Sequence, residues 1–122
     1  MPIMELKHFK LSEFDSPDAP GSGSNMKPEF LQRLDNARGL AGIPFKINSG
    51  FRTKARNAIV KGVKDSSHCY GYAADIHCID LRNRLLMVKA LLAAGFTRIG
   101  IADGFIHVDC DPQKSKEAIW LY

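Results

Sequence analysis

Two runs rich in β-branched and aromatic residues, FTRIGIA at 96–102 and FIHVDC at 105–110, are separated only by Asp103 and Gly104. An Asp-Gly pair between strand-like runs signals a hairpin, so these two strands must be antiparallel. That requirement disfavours a doubly wound parallel sheet and makes the remaining elements pack around the hairpin. PFKINSG at 44–50 alternates Phe45 and Ile47 with Lys46 and Asn48, as a half-buried strand does, and YAADIHC at 72–78 is a second strand candidate between Gly71 and Asp80. AIWLY at the C-terminus supplies a further short strand. Pro28 suits a first helical turn, and Phe30, Leu31, Leu34, Ala37 and Ala41 recur at helical spacing, which predicts a helix over about 28–40. Asp80 is placed to cap LRNRLLMVKALLAAG, with Leu81, Leu85, Val88, Leu91 and Leu92 on one face and Gly95 as its stop. FRTKARNAIVKG reads as a short helix or helical turn, and the Pro, Gly and Ser of 15–25 as a surface loop. The expected architecture is α+β: an antiparallel sheet of about four strands with two main helices packed on one face, in one domain over residues 1–122.

A chain of 122 residues can bury a core without covalent staples. Its three cysteines, Cys69, Cys78 and Cys110, form no CxxC motif, so reduced thiols are expected rather than a disulfide framework or zinc knot. No apolar run reaches the length of a bilayer span, and no membrane association is expected. The N-terminal MPIMELKHFK lacks a signal-peptide h-region, which leads us to expect cytoplasmic synthesis. A formal charge of +4 favours anionic partners, whether nucleic acid, acidic lipid or cell-wall polymers. With no recognition helix or aromatic platform in view, a nucleic-acid partner is not expected.

The chemistry concentrates in SSHCYGYAADIHC, residues 66–78. Asp75 falls in a run that should be buried, and an unpaired buried carboxylate costs several kcal/mol, so it needs a basic side chain or a metal beside it. His68 precedes it across the Gly-containing turn CYGY, which can fold the chain back on itself. His107 and Asp109 are two residues apart on one strand and therefore share a face, opposite Val108 and Cys110. Two histidines and an aspartate suit a divalent ion such as zinc, with a fourth position left for water. Spacing alone leaves the plainer reading open, in which each histidine is an ordinary packed or surface residue.

Taken together, SSHCYGYAADI, the later FIHVD and the earlier INSGFR resemble the signature of the zinc D-Ala-D-Ala carboxypeptidase family of peptidoglycan peptidases, which shares its fold with the hedgehog signalling domain. Ser66, His68, Gly71, Ala73 and Asp75 fill every fixed position of the pattern SxHxxGxAxD. The similarity runs from LKHFKLSEF to IWLY and is greatest to short single-domain bacterial and phage members. It implies one Zn2+ ion held by His68, Asp75 and His107. It also implies that Arg52 binds the substrate carbonyl or carboxylate and steadies a developing oxyanion, and that Ser66 is a substrate-binding hydroxyl, or else only a cap of its turn. Many relatives carry a glutamate as general base three residues before the last histidine, where this chain has Gly104. The base is then expected to be Asp109, with Asp103 as second candidate, each subject to hydrogen-bond reach. His77 is a possible further contact and Cys69 a packing residue. The implied function is a metallopeptidase, monomeric, that cuts an amide bond in peptidoglycan stems or cross-links through a metal-activated water, as a released phage-type lysin or a recycling enzyme. The alternative is a noncatalytic cell-wall peptide-binding module that keeps the metal for structure.

Overall fold

A computed structural model describes residues 5–122; the first four positions of the expected domain lie outside the described residues. Three helices, α1 (Pro28–Ala41), α2 (Lys54–Ile59) and α3 (Leu81–Ala93), accompany five strands, β1 (Ile47–Ser49), β2 (Ala73–His77), β3 (Arg98–Ile101), β4 (Phe105–Asp109) and β5 (Ala118–Leu121). The class is α+β, as expected. Strand order is β1-β2-β4-β3-β5, and the predicted hairpin is β3–β4, with Ile101 opposite Ile106 and Arg98 opposite Asp109. The sheet is mixed, because β5 runs parallel to β3 with Ala118 beside Arg98. The reason is the path of the chain after β4. That strand ends at the same edge where β3 begins, and residues 110–117 cross this edge, so β5 starts from the end at which β3 starts. The Arg98 guanidinium fastens the crossing by donating from Nη1 to the Ser115 carbonyl at 2.9 Å and to its hydroxyl at 2.6 Å.

Alternation along the strands sorts the side chains into two layers. Ala74, Ile76, Ile99, Ile106 and Val108 point to the buried face, where they meet Phe30, Leu31 and Leu34 of α1 and Met87 and Leu91 of α3. Each large side chain buried there contributes about 1.5–3 kcal/mol. α1 opens with Pro28 in its first turn and closes on Gly42, whose φ of 69° is the left-handed conformation that a residue other than glycine adopts only with strain. α3 is capped as predicted, the Asp80 carboxylate accepting from the Asn83 N–H at 2.9 Å. Its buried stripe differs from the predicted face. Met87, Ala90 and Leu91 are buried, whereas Leu81, Leu85 and Leu92 are 76%, 60% and 54% exposed. The helix carries two adjacent apolar stripes, and Arg84, reaching back to the carbonyls of Ala102 and Asp103 at 3.4 and 3.3 Å, fixes its rotation so that the Met87–Leu91 stripe turns inward.

The segment before α1 is tied down by a buried carboxylate. Asp35 accepts from the backbone N–H groups of Lys7 and His8 at 2.9 and 2.8 Å, and Phe9 and Phe14 bury beside α1. This anchoring matters further on, because Phe14 lies against Gly50, the residue that ends the β1 segment. A Cβ at Gly50 would sit 2.6 Å from the Phe14 Cα, so only glycine lets these two stretches meet. Replacing Asp35 by Ala removes the acceptor of two N–H groups at a part-buried site. The expected cost is on the order of 3 kcal/mol, read as a lowered urea midpoint at unchanged slope. A loss below about 0.5 kcal/mol would show the clamp to be dispensable.

Candidate metal centre

Strand register builds the site before any side-chain detail is considered. Ser49 of β1 lies opposite Asp75 of β2, Asp75 opposite His107 of β4, His107 opposite Gly100 of β3, and Gly100 beside Trp120 of β5. One row thus crosses all five strands on the face away from the helices. Gly100 is empty by necessity: a Cβ there would fall 2.5 Å from the Trp120 Nε1 and 2.8 Å from the Tyr122 ring. The indole therefore leans over the gap until its ring centroid is 5.6 Å from that of His107. Arg98 stacks on the indole from the next position, 5.2 Å from the ring centre.

His68 arrives from outside the sheet, on a 3-10 turn spanning Ser67–Tyr70. Ser66 caps the turn, its hydroxyl accepting from the His68 N–H at 3.3 Å, and Gly71 ends it at a φ of 78°. No side chain fits at Gly71, where a Cβ would approach the Asn25 carbonyl oxygen to 2.4 Å. The reversal delivers His68 Nε2 to 3.4 Å from Asp75 Oδ1, and His107 Nδ1 lies 2.9 Å from the same oxygen. One ligand atom from each of His68, Asp75 and His107 lies within 4.8 Å of the others.

The far nitrogens of both rings are also held. His68 Nδ1 donates to the Gly50 carbonyl at 2.9 Å, and His107 Nε2 donates to Asp109 Oδ2 at 2.8 Å. Imidazoles whose second nitrogen is fixed by a carbonyl or carboxylate have the tautomer and orientation that metal ligation needs. Two such rings and one carboxylate, facing a cleft of about 430 Å³, fit zinc with room for a further ligand.

In the metal-free protein His107 sits between two carboxylates, which requires a proton on each ring nitrogen. Burial lowers its pKa, but hydrogen bonds to Asp109 and Asp75 outweigh burial and raise it above the ordinary histidine value. Burial pushes the Asp75 carboxyl up, yet hydrogen bonds from His107 and His68 hold it well below the usual carboxylate range. Asp109 is likewise depressed: burial opposes ionisation, and His107 and Arg98 overcome it.

Of the other residues singled out in the sequence, Arg52 lines the cleft, with Nη2 3.9 Å from Asp75 Oδ2. Two neighbours aim its guanidinium, Nη1 donating to Asn57 Oδ1 at 3.0 Å and Nη2 to the Ser49 hydroxyl at 3.1 Å. Ser66 is buried and lines the same cleft while capping its turn. Asp109 is buried at the cleft floor, and Arg98 Nε and the Asp111 N–H donate to it alongside His107, at 2.7 and 3.4 Å. Asp103 is exposed in the hairpin turn and does not line the cleft, and His77 is exposed at the end of β2. Cys69 is half-buried and faces a neighbouring groove. Sequence reading passed over Arg98, Asn57, Gly100 and Trp120. Only Gly100 left a local sign, a glycine inside a strand, which marks a close approach by another group.

A family model described as Peptidase M15 matches residues 7–109, a span that contains all three ligand candidates and Arg52. It stops at the last residue of β4, so β5 with Trp120 lies beyond it. No curated protein matches the chain.

A metal taken up by this cluster would displace the proton from His107 Nδ1. Because the pKa of this group is raised, the proton is present up to and somewhat above the ordinary histidine range, and zinc affinity is expected to rise with pH through that raised value. Calorimetric titration of metal-free protein with zinc at pH 6.5, in two buffers of different ionisation enthalpy, should show proton release. Identical heats in both buffers would contradict the bridged imidazolium.

Proposed function

The chain belongs to the peptidase M15 family, and from that premise we propose that it is a zinc-dependent peptidase that hydrolyses an amide bond in the peptide stems or cross-links of peptidoglycan. The observation that carries the reading is the convergence of His68, Asp75 and His107 at an open cleft with the far nitrogen of each ring anchored. A zinc ion held by His68, Asp75 and His107 would supply Lewis-acid chemistry, lowering the pKa of a water and polarising a carbonyl. The chain's own residues do the rest. Arg52, preset by Ser49 and Asn57, offers a guanidinium to a substrate carboxylate or to the oxyanion that develops at the scissile carbonyl. Trp120 and Tyr122 wall the cleft, the indole standing beside His107.

Asp109 acts best as the anchor of His107. Its oxygens already accept from His107, Arg98 and the Asp111 N–H, and it is only 2% exposed. The alternative role, taking a proton from the attacking water, makes a different prediction. Asp109→Asn is expected to weaken zinc binding by about 10- to 100-fold and to recover most of its activity when zinc is raised to saturation. A loss of about 100-fold or more that persists at saturating zinc would make Asp109 the proton acceptor instead.

A noncatalytic wall-binding module draws support from position 104, where glycine offers no carboxylate to act as general base. Mass spectrometry of muropeptides decides between the readings. Purified zinc-loaded protein should generate new amine and carboxyl ends in a peptidoglycan digest, lose this activity with a chelator, and lose it in His107→Ala. Arg52→Lys should lower kcat/KM by about 10²- to 10³-fold, since a lysine cannot replace the aimed, planar pair of donors. Binding of the same muropeptides without any cleavage would establish the module.

A further inference from the structure

Beside the metal cleft lies a larger cavity, about 840 Å³ against about 430 Å³. Lys114 lines both, so the two meet at that residue. The partition between them is built from the Ser67–Tyr70 turn and the segment that follows β4. Two bonds hold it together: the Ser67 hydroxyl to Asp111 Oδ2 at 2.8 Å, both residues buried, and Lys114 Nζ to the Asp65 carbonyl at 2.8 Å. The turn is two-sided, with His68 lining the metal cleft and Cys69 and Tyr70 lining the groove. A ligand too long for the cleft can cross at Lys114 and continue along the groove.

The lining of the groove points to a ligand class. Phe51, Tyr70 and Tyr72 give it aromatic surface, and Tyr70 stays 46% exposed although the core has no need of it there. Asn25 and Gln113 add neutral amides that both donate and accept. Its charged residues cancel, Lys27 and Lys114 against Asp65 and Asp111, so it has no surplus of cations to select a polyanion. Aromatic faces with interspersed neutral hydrogen-bonding groups suit an uncharged, polyhydroxylated, amide-bearing ligand, whose apolar ring faces pack on the aromatics while its hydroxyl and acetamido groups bond to the amides.

We propose that this groove is a saccharide site that holds the N-acetylated glycan from which the stem peptide hangs while the peptide reaches the metal cleft. The assignment rests on the reading of the cleft as a peptidoglycan peptidase site. Part of the groove lies outside the match to the family model, since Pro112, Gln113 and Lys114 follow its last matched residue.

Two measurements on the zinc-loaded full chain test it. Titration with chitotriose, followed by amide NMR shifts, should perturb Tyr70, Tyr72 and Gln113 rather than the cleft, with affinity reduced about tenfold in Tyr70→Ala and also weakened in Gln113→Ala. In parallel, a stem peptide carrying its disaccharide should be cut with a KM about tenfold lower than the same free stem, and Tyr70→Ala should erase that preference while leaving the free stem unaffected. Absence of shifts in the groove, or equal KM values for the two substrates, would overturn the saccharide site. So would a Tyr70→Ala variant that impairs the free stem as much as the glycosylated one, because the groove would then hold peptide. Groove binding of chitotriose with neither stem cut would support the saccharide site and defeat only the peptidase reading.

Discussion

The hydrogen-bonded line Asp75–His107–Asp109–Arg98 is the interaction around which the molecule is organised. It runs from β2 to β4 and on to β3, and every member is at least partly buried. Such a line is stable only when each carboxylate has its cation or donors, because a buried charge left single costs more than any one pairing returns. The hairpin supplies the register that sets Arg98 opposite Asp109, and the β2–β4 pairing sets Asp75 opposite His107. Backbone pairing thus positions the charges, and the charges in turn hold the imidazole in the one orientation that leaves Nδ1 facing the cleft.

Around this line, parts of the chain distant in sequence each contribute one fixed group. The N-terminal segment braces Gly50 through Phe14, and Gly50 receives the His68 ring. α2 supplies Asn57, which aims Arg52 and itself donates to the Val63 carbonyl at 2.9 Å. Gly62 is required beside it, since a Cβ there would come within 2.0 Å of Asn57 Oδ1. The three candidate ligands all lie outside the α-helices. The role of the helices is to bury the opposite face of the sheet, so that the functional face can remain polar without unfolding the domain.

Much of this was legible in the sequence, for identifiable reasons. The Asp-Gly turn dictated the hairpin, two-residue periodicity placed His107 and Asp109 on one face, and the turn CYGY announced the reversal that carries His68 to Asp75. Less legible were features decided by contacts between distant segments. The direction of β5 depends on a crossing loop fastened by Arg98, and the buried stripe of α3 depends on Arg84 finding carbonyls in the hairpin turn. The surroundings of Asp109 were hidden for the same reason. Two-residue spacing brings it beside His107, but only tertiary structure shows that Arg98 and the Asp111 N–H already occupy its oxygens.

Gly100 carries a consequence of another kind. It sits level with His107 in the middle of a strand, and what it provides is vacancy: the indole of the neighbouring strand lies where a methyl group would otherwise stand. The breadth of the cleft is therefore governed by a residue with nothing to offer a metal, a proton or a substrate. An inventory of reactive groups would omit it, yet any side chain introduced there would evict the tryptophan and reshape the wall without altering a single ligand.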